Sequence, residues 1–173
     1  MNNLSQCRLC KKGKPLINSH ILPAFVFRWQ KETSANGHLR FGETPNRRTQ
    51  DGIKFPFLCS DCEGILNKVE TPFKNKIFDP YLTDPSVKIK YQDWMLKFCV
   101  SISWRVLAVY REKGWLKNYT KEQLLSVDEA LEMWRQVILG DRKHPERFIQ
   151  HFIPLSAISD TSVSNLPKNF NRY

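Results

Sequence analysis

Two cysteine pairs, Cys7-Arg-Leu-Cys10 and Cys59-Ser-Asp-Cys62, are the residues of this chain with the plainest chemical purpose. A two-residue gap closes a tight loop that turns two thiolates toward one ion, and two such loops complete a tetrahedron. The four cysteines therefore predict a single zinc ion. A four-thiolate shell keeps no position for water, so this zinc is expected to be structural. The other readings are two chance pairs or a redox motif, and a redox C-x-x-C normally needs a βαβ context that is missing here. Close pairs of cysteines in a reducing cytoplasm point to metal before disulfide. Cys99 is left over on an apolar segment, where it reads as a small core residue.

Between the pairs lies Asn18-Ser19-His20-Ile21-Leu22-Pro23, and after the last cysteine come Glu63 and Glu70. A neutral imidazole has the right basicity to take a proton from water near pH 7. His20 reads equally as a hydrogen-bonded structural histidine at the edge of the zinc unit. If Cys62 opens a helix, Glu63 and Glu70 lie two turns apart on nearly one face. Carboxylate oxygen suits Mg²⁺ or Mn²⁺. Glu63 can also serve as a first-turn carboxylate against the positive end of a helix, and Glu70 can simply pair with a lysine.

These motifs resemble the HNH, or His-Me finger, nucleases, whose zinc-stapled members carry a histidine, an apolar residue and a proline between two C-x2-C pairs. The set formed by Cys7 to Cys10, Ser19 to Pro23, Leu58 to Glu63, Glu70 and Ser101 to Arg105 is similar to bacterial proteins described as HNH-endonuclease-like, over roughly residues 5 to 140. The resemblance implies a ββα-metal unit and a metal-dependent nuclease acting on DNA or RNA. His20 would be the general base, with Glu63 and Glu70 at a catalytic Mg²⁺ or Mn²⁺. Ser19 stands where the family usually has an aspartate ligand, and Glu63 where it usually has a histidine. The competing expectation is a zinc-stabilised module that binds nucleic acid or docks a protein partner without cutting.

The elements that must hold these residues divide by pattern. Up to about residue 75 the chain is turn-rich and basic with short apolar runs, a composition that needs a metal staple to fold. From Tyr91, the residues Tyr91, Met95, Phe98, Ile102, Val106 and Val109 recur at helical spacing and predict a buried helix. Trp104-Arg105 within it is either core or a stacking element. Ser126-Val-Asp-Glu129 reads as the capping box of a second helix, with Ala130, Leu131, Trp134, Val137 and Ile138 as its apolar face and Gly140 as its stop. Thr120 to Gln123 can cap a short preceding turn in the same way. Asp79-Pro80 and Asp84-Pro85 are expected to break helix. The chain is thus expected to be α+β. Residues 1–78 should form a small zinc-stapled, treble-clef-like ββα-metal unit, residues 79–155 a helical region, and residues 156–173 a polar tail.

The formal net charge of +10 favours a polyanionic partner, because each lysine or arginine near a phosphate releases condensed counterions. Ten basic against three acidic residues precede Cys59, so the excess sits on the cysteine-containing segment. Arg47 and Arg48 with Lys54 are the best local candidates for phosphate contact, against a merely solvated loop. His38, His144 and His151 show no ligand spacing. No apolar run reaches the ~18 to 20 residues that span a bilayer, and no basic amphipathic or lipidation signal suggests a membrane. The expectation is a cytoplasmic protein with DNA or RNA as partner, and a protein partner or homo-oligomer remains open.

Overall fold

The computed structural model describes residues 5–154 apart from Ala35 and Glu43. The fold mixes helices with small antiparallel sheets. In chain order the elements are β1 (Ser5–Gln6), β2 (Gly13–Lys14), β3 (Ile17–His20), α1 (Ala24–Thr33), β4 (Leu39–Phe41), β5 (Thr44–Thr49), β6 (Lys54–Leu58) and α2 (Ser60–Phe73). A π-helical turn at Lys74–Phe78 follows, then α3 (Asp79–Thr83), α4 (Asp93–Glu112) and α5 (Lys121–Leu139). The strands pair as three antiparallel ribbons, β1 with β2, β3 with β6, and β4 with β5.

Contacts gather into two units. Among the described residues, the first takes in 5–23 with 53–151, and the second 24–52 with 152–154. The core of the first unit is continuous from the cysteines through Leu9, Phe57, Leu58 and Leu66 to Val100, Trp104, Val109, Trp134 and Val137. A segment with few apolar residues thereby shares the core of two long helices. Phe57 lies against Trp104, with ring centroids 5.6 Å apart. Burying aromatic side chains of this size contributes on the order of 1.5–3 kcal/mol each. In the second unit β4 packs on α1. The Phe27 ring occupies the space where a Cβ at Gly52 would sit, leaving only 2.0 Å, so a side chain there would displace it.

Several expectations are corrected. Tyr91 lies outside α4 and is 68% exposed. Ile102 and Val106 are only half-buried, because the helix turns Ser101, Trp104 and Arg105 inward instead. The second helix starts at Lys121, not at Ser126. Its capping box belongs to Thr120, whose Oγ1 accepts from the Gln123 N–H while Gln123 Oε1 accepts from the Thr120 N–H at 2.8 Å. Ser126 and Glu129 lie inside that helix.

Asp79-Pro80 does not interrupt the helical path. α2 runs through the π turn into α3, with Pro80 in the first turn of α3, where its fixed φ suits the helix. Asp84 does end the path, in the extended conformation that a following proline imposes (φ −142°, ψ 102°). Gly140 closes α5 at φ 92°, as expected. Helix α1 was not foreseen within the turn-rich segment. The tail at 156–173 lies outside the described residues. No helix among the described residues is long and apolar enough to cross a membrane.

Candidate functional site

The first cysteine pair occupies the loop of the β1–β2 ribbon. The Lys11 N–H donates to the Cys7 carbonyl at 2.9 Å and the Cys7 N–H to the Lys12 carbonyl at 3.0 Å. Lys11 takes φ 60°, a left-handed conformation that a non-glycine residue adopts only where the loop demands it. The second pair opens α2. Cys59 stands at the N-cap position without a side-chain capping bond, so its sulfur stays available, and its N–H donates to Cys7 Sγ at 3.3 Å.

All four sulfurs lie within 4.8 Å of one another, with Cys10 Sγ and Cys59 Sγ 3.9 Å apart. A tetrahedral zinc with ~2.3 Å bonds to sulfur needs edges of about 3.8 Å, which this set nearly supplies. The same spacing is far beyond a disulfide bond, and all four cysteines are free thiols. Cys7, Cys59 and Cys62 are buried and Cys10 half-buried, so the four are positioned to enclose a metal ion, as a structural zinc site requires.

Their electrostatics need a cation. Burial works against the Cys7 thiolate, but backbone N–H groups of Cys10, Cys59 and Leu9 outweigh it and bring the group down to about 7. Burial, then the neighbouring sulfurs, push the Cys62 thiol up. One dication would relieve both conflicts. Burial likewise pushes up the Cys99 thiol on α4, in keeping with a core role.

The metal loop is tied to the long helices as well. Arg8 grips Glu112 of α4 with two hydrogen bonds of 2.7 Å, and Arg135 of α5 donates to the Leu9 carbonyl at 3.3 Å. Beside these ties, a cavity of about 290 Å³ is lined by Trp104, Leu131 and three Arg–carboxylate pairs.

β3 buries Ser19 and leaves His20 half-buried. Ser19 is fully buried. Its hydroxyl accepts from the Leu58 N–H at 3.2 Å and donates to the Ile17 carbonyl at 3.4 Å, beside the register shift between Ile17 and Asn18. Ser19 is thus a strut joining β3 to β6. His20 is half-buried at the end of β3, opposite Lys54 in the ladder. Its carbonyl accepts from Arg105 Nη1 at 3.2 Å.

Arg105, which the sequence offers with Trp104 as core or a stacking element, is instead a buried ion-pair partner. Only 1% exposed, it donates from Nη2 to Glu70 Oε1 at 2.7 Å and from Nε to the Ser101 carbonyl at 3.3 Å. One guanidinium thus joins α4, α2 and the end of β3. The signal was an arginine on the inner side of an apolar helix, which implies a buried acid elsewhere in the chain. Glu70 is that acid.

Glu63 lies half-buried in the first turn of α2, and its carboxylate has no ion-pair or hydrogen-bond partner among the described residues. Among those residues the four cysteines are the one group of three or more ligands close enough for a metal. Neither Glu63 nor Glu70, the carboxylates expected at a catalytic cation, belongs to such a group. Glu70 is committed to Arg105 instead. Of the suggested phosphate contacts, Lys54 stands beside His20 in the β3–β6 ladder, whereas Arg47 and Arg48 are exposed on β5 of the second unit.

Compared with known proteins, the chain matches no family model, no curated protein and no solved structure, so the likeness of its motifs to HNH nucleases gains no support from that quarter.

Proposed function

We propose that the protein is a zinc-stapled nuclease of the HNH kind that hydrolyses phosphodiester bonds in nucleic acid, with His20 as general base. The observation that carries this reading is the clamp on His20. Its main chain is fixed on one side by the β3–β6 ladder and on another by Arg105, and the residue is half-buried, not enclosed in the core. A base held this way meets substrate without first paying for its own ordering. The β3–β6 hairpin leading into α2, stapled at its start by the cysteines, is the arrangement a treble-clef-like ββα-metal unit calls for. Zinc is the metal that best suits four thiolates at this spacing.

Glu63 is the carboxylate left to work with His20, since Glu70 belongs to Arg105. The net charge of +10 and the exposed Lys54 suit a phosphodiester backbone. Four free cysteines around a metal fit a reducing compartment such as the cytoplasm.

A second reading is a binding module that does not cut. Ser19, turned inward as a strut, and Glu70, paired with Arg105, favour it, because each removes a group that HNH chemistry would use. Incubating zinc-loaded protein with plasmid, single-stranded DNA and RNA, each without added cation and with Mg²⁺ or Mn²⁺, separates the two. The nuclease reading expects cleavage of at least one substrate. Binding without cleavage under every condition leaves the second reading standing.

A further inference from the structure

Three elements of the first unit meet around the cavity of about 290 Å³, which the cysteine and histidine chemistry does not use. On α4, Trp104, Ala108, Arg111 and Glu112 fall on one stripe, and on α5, Asp128, Leu131, Glu132 and Arg135 do the same. The loop that carries Cys7 and Cys10 closes the third side with Arg8 and Lys11. The apolar part of the wall is Trp104, which is buried, with half-buried Ala108 and Leu131.

The charged part of the wall is mostly paired within itself. Arg8 holds Glu112, Arg111 holds Asp128 and Arg135 holds Glu132, each through Nε and Nη2. Arg8 and Arg135 also spend Nη1, on the carbonyls of Gln6 and Leu9. Arg111 does not, and its Nη1 has no hydrogen-bond partner among the described residues. The same is true of Lys11 Nζ, which acts on Glu112 and Glu132 only at longer range. Every carboxylate of the wall is thus matched, while two cationic donors are left over. A ligand that completes the wall brings acceptor oxygens and negative charge. Four cations face three carboxylates, so a single added negative charge balances the wall. A phosphate monoester, which carries about two charges, would bring an excess toward those carboxylates. The rest of the ligand must be apolar to cover Trp104, Ala108 and Leu131, and it must be small, since small-molecule sites begin at about 300 Å³.

We infer that this cavity binds a small monocarboxylate with a ring-sized apolar body, whose carboxylate meets the free donors of Lys11 and Arg111 and whose body covers Trp104, Ala108 and Leu131. Such a ligand is distinct from nucleic acid, and the site is independent of whether the protein cuts.

The test is a ligand-observed NMR titration of the full-length, zinc-loaded chain with benzoate, with benzamide as its neutral counterpart and phenyl phosphate as its dianionic one, all at the same ionic strength and neutral pH. Benzoate is expected to bind with a dissociation constant of about 1 mM or below, and the other two at least about tenfold more weakly. Lys11→Gln should weaken benzoate binding about fivefold or more, with zinc content and circular dichroism unchanged. Arg111→Gln combined with Asp128→Asn removes the donor while keeping the charge balance, and should weaken it by a similar factor. Lys11→Arg should keep most of the affinity. Ala108→Phe, which fills the space with a ring of the protein's own, should abolish binding. If that variant fails to fold, the charge variants and the three wild-type titrations still decide. No saturable binding of benzoate would overturn the inference, as would equal binding of benzamide or phenyl phosphate. Undiminished benzoate binding in Lys11→Gln, in the Arg111 and Asp128 double variant or in a folded Ala108→Phe would do the same.

Discussion

Arg105 Nη2 lies 2.7 Å from Glu70 Oε1 at a place where the arginine side chain is 2% and the glutamate side chain 14% exposed. A buried pair of this kind contributes little beyond what well-packed apolar residues would, but losing one partner strands a charge. Arg105→Ala and Glu70→Gln should each lower stability by about 3–5 kcal/mol in urea unfolding. Arg105→Met combined with Glu70→Leu should recover much of that loss. If Arg105 positions His20, the recovered double variant will still cleave more slowly than the wild type, because no donor then holds the His20 carbonyl.

Ser19 offers a second test. Ser19→Ala removes the acceptor of the buried Leu58 N–H and should cost about 1–3 kcal/mol. Ser19→Asp, which restores the residue usual in HNH nucleases, should cost more, because it places a carboxylate at a fully buried position. Thermal or urea unfolding checks both. A stable, more active Ser19→Asp would mean that the position faces the reaction.

Acid should loosen the tie between the metal loop and α4. The side-chain hydrogen bond from Arg8 holds Glu112 below its ordinary value of 4.5. The carboxylate is thus more acidic folded than unfolded, and its stabilisation is present above about pH 4.5 and lost as pH falls through the folded value. Glu112→Gln should therefore be less stable than the wild type near neutrality, and the gap should close as pH drops below that range. Unfolding curves of the two proteins over pH 3 to 7 read this directly, a window chosen to bracket the glutamate range.

The metal prediction concerns stoichiometry. Purified protein should carry one zinc per chain, and Cys10→Ser or Cys62→Ser should lose most of it. Because the cysteines share a core with Leu66, Trp104 and Trp134, chelation should also lower the melting temperature of the first unit. Full zinc retention in both variants would contradict the four-sulfur site.

The sequence shows the cysteine pairs clearly because a two-residue gap is a local signal, and the same holds for Gly140 and Asp84-Pro85. Features set by distant partners are less legible. Glu70 and Arg105 are 35 positions apart, and only the packing of α4 on α2 makes them one buried pair. Ser19 was read through a family pattern, whereas its role follows from the neighbouring strand that gives it the Leu58 N–H. Thr120 and Ser126 both open capping-box patterns, and local spacing alone does not choose between them. Helix α1 was missed because only Phe25 of its residues is fully buried, which leaves a weak apolar stripe. Pro80 was read as a breaker because a proline signals differently inside a helix and in its first turn.

The central claim is that His20 is the base of a hydrolytic site held in place by the metal staple. It is tested most directly by single-turnover cleavage of the preferred substrate by the intact protein and by His20→Ala, matched for zinc content. The account predicts that the intact protein cleaves and that His20→Ala is slower by about 10² to 10⁴, the range a general base supplies. Cleavage undiminished in His20→Ala would contradict it, and so would an intact, zinc-loaded protein that binds nucleic acid and never cuts.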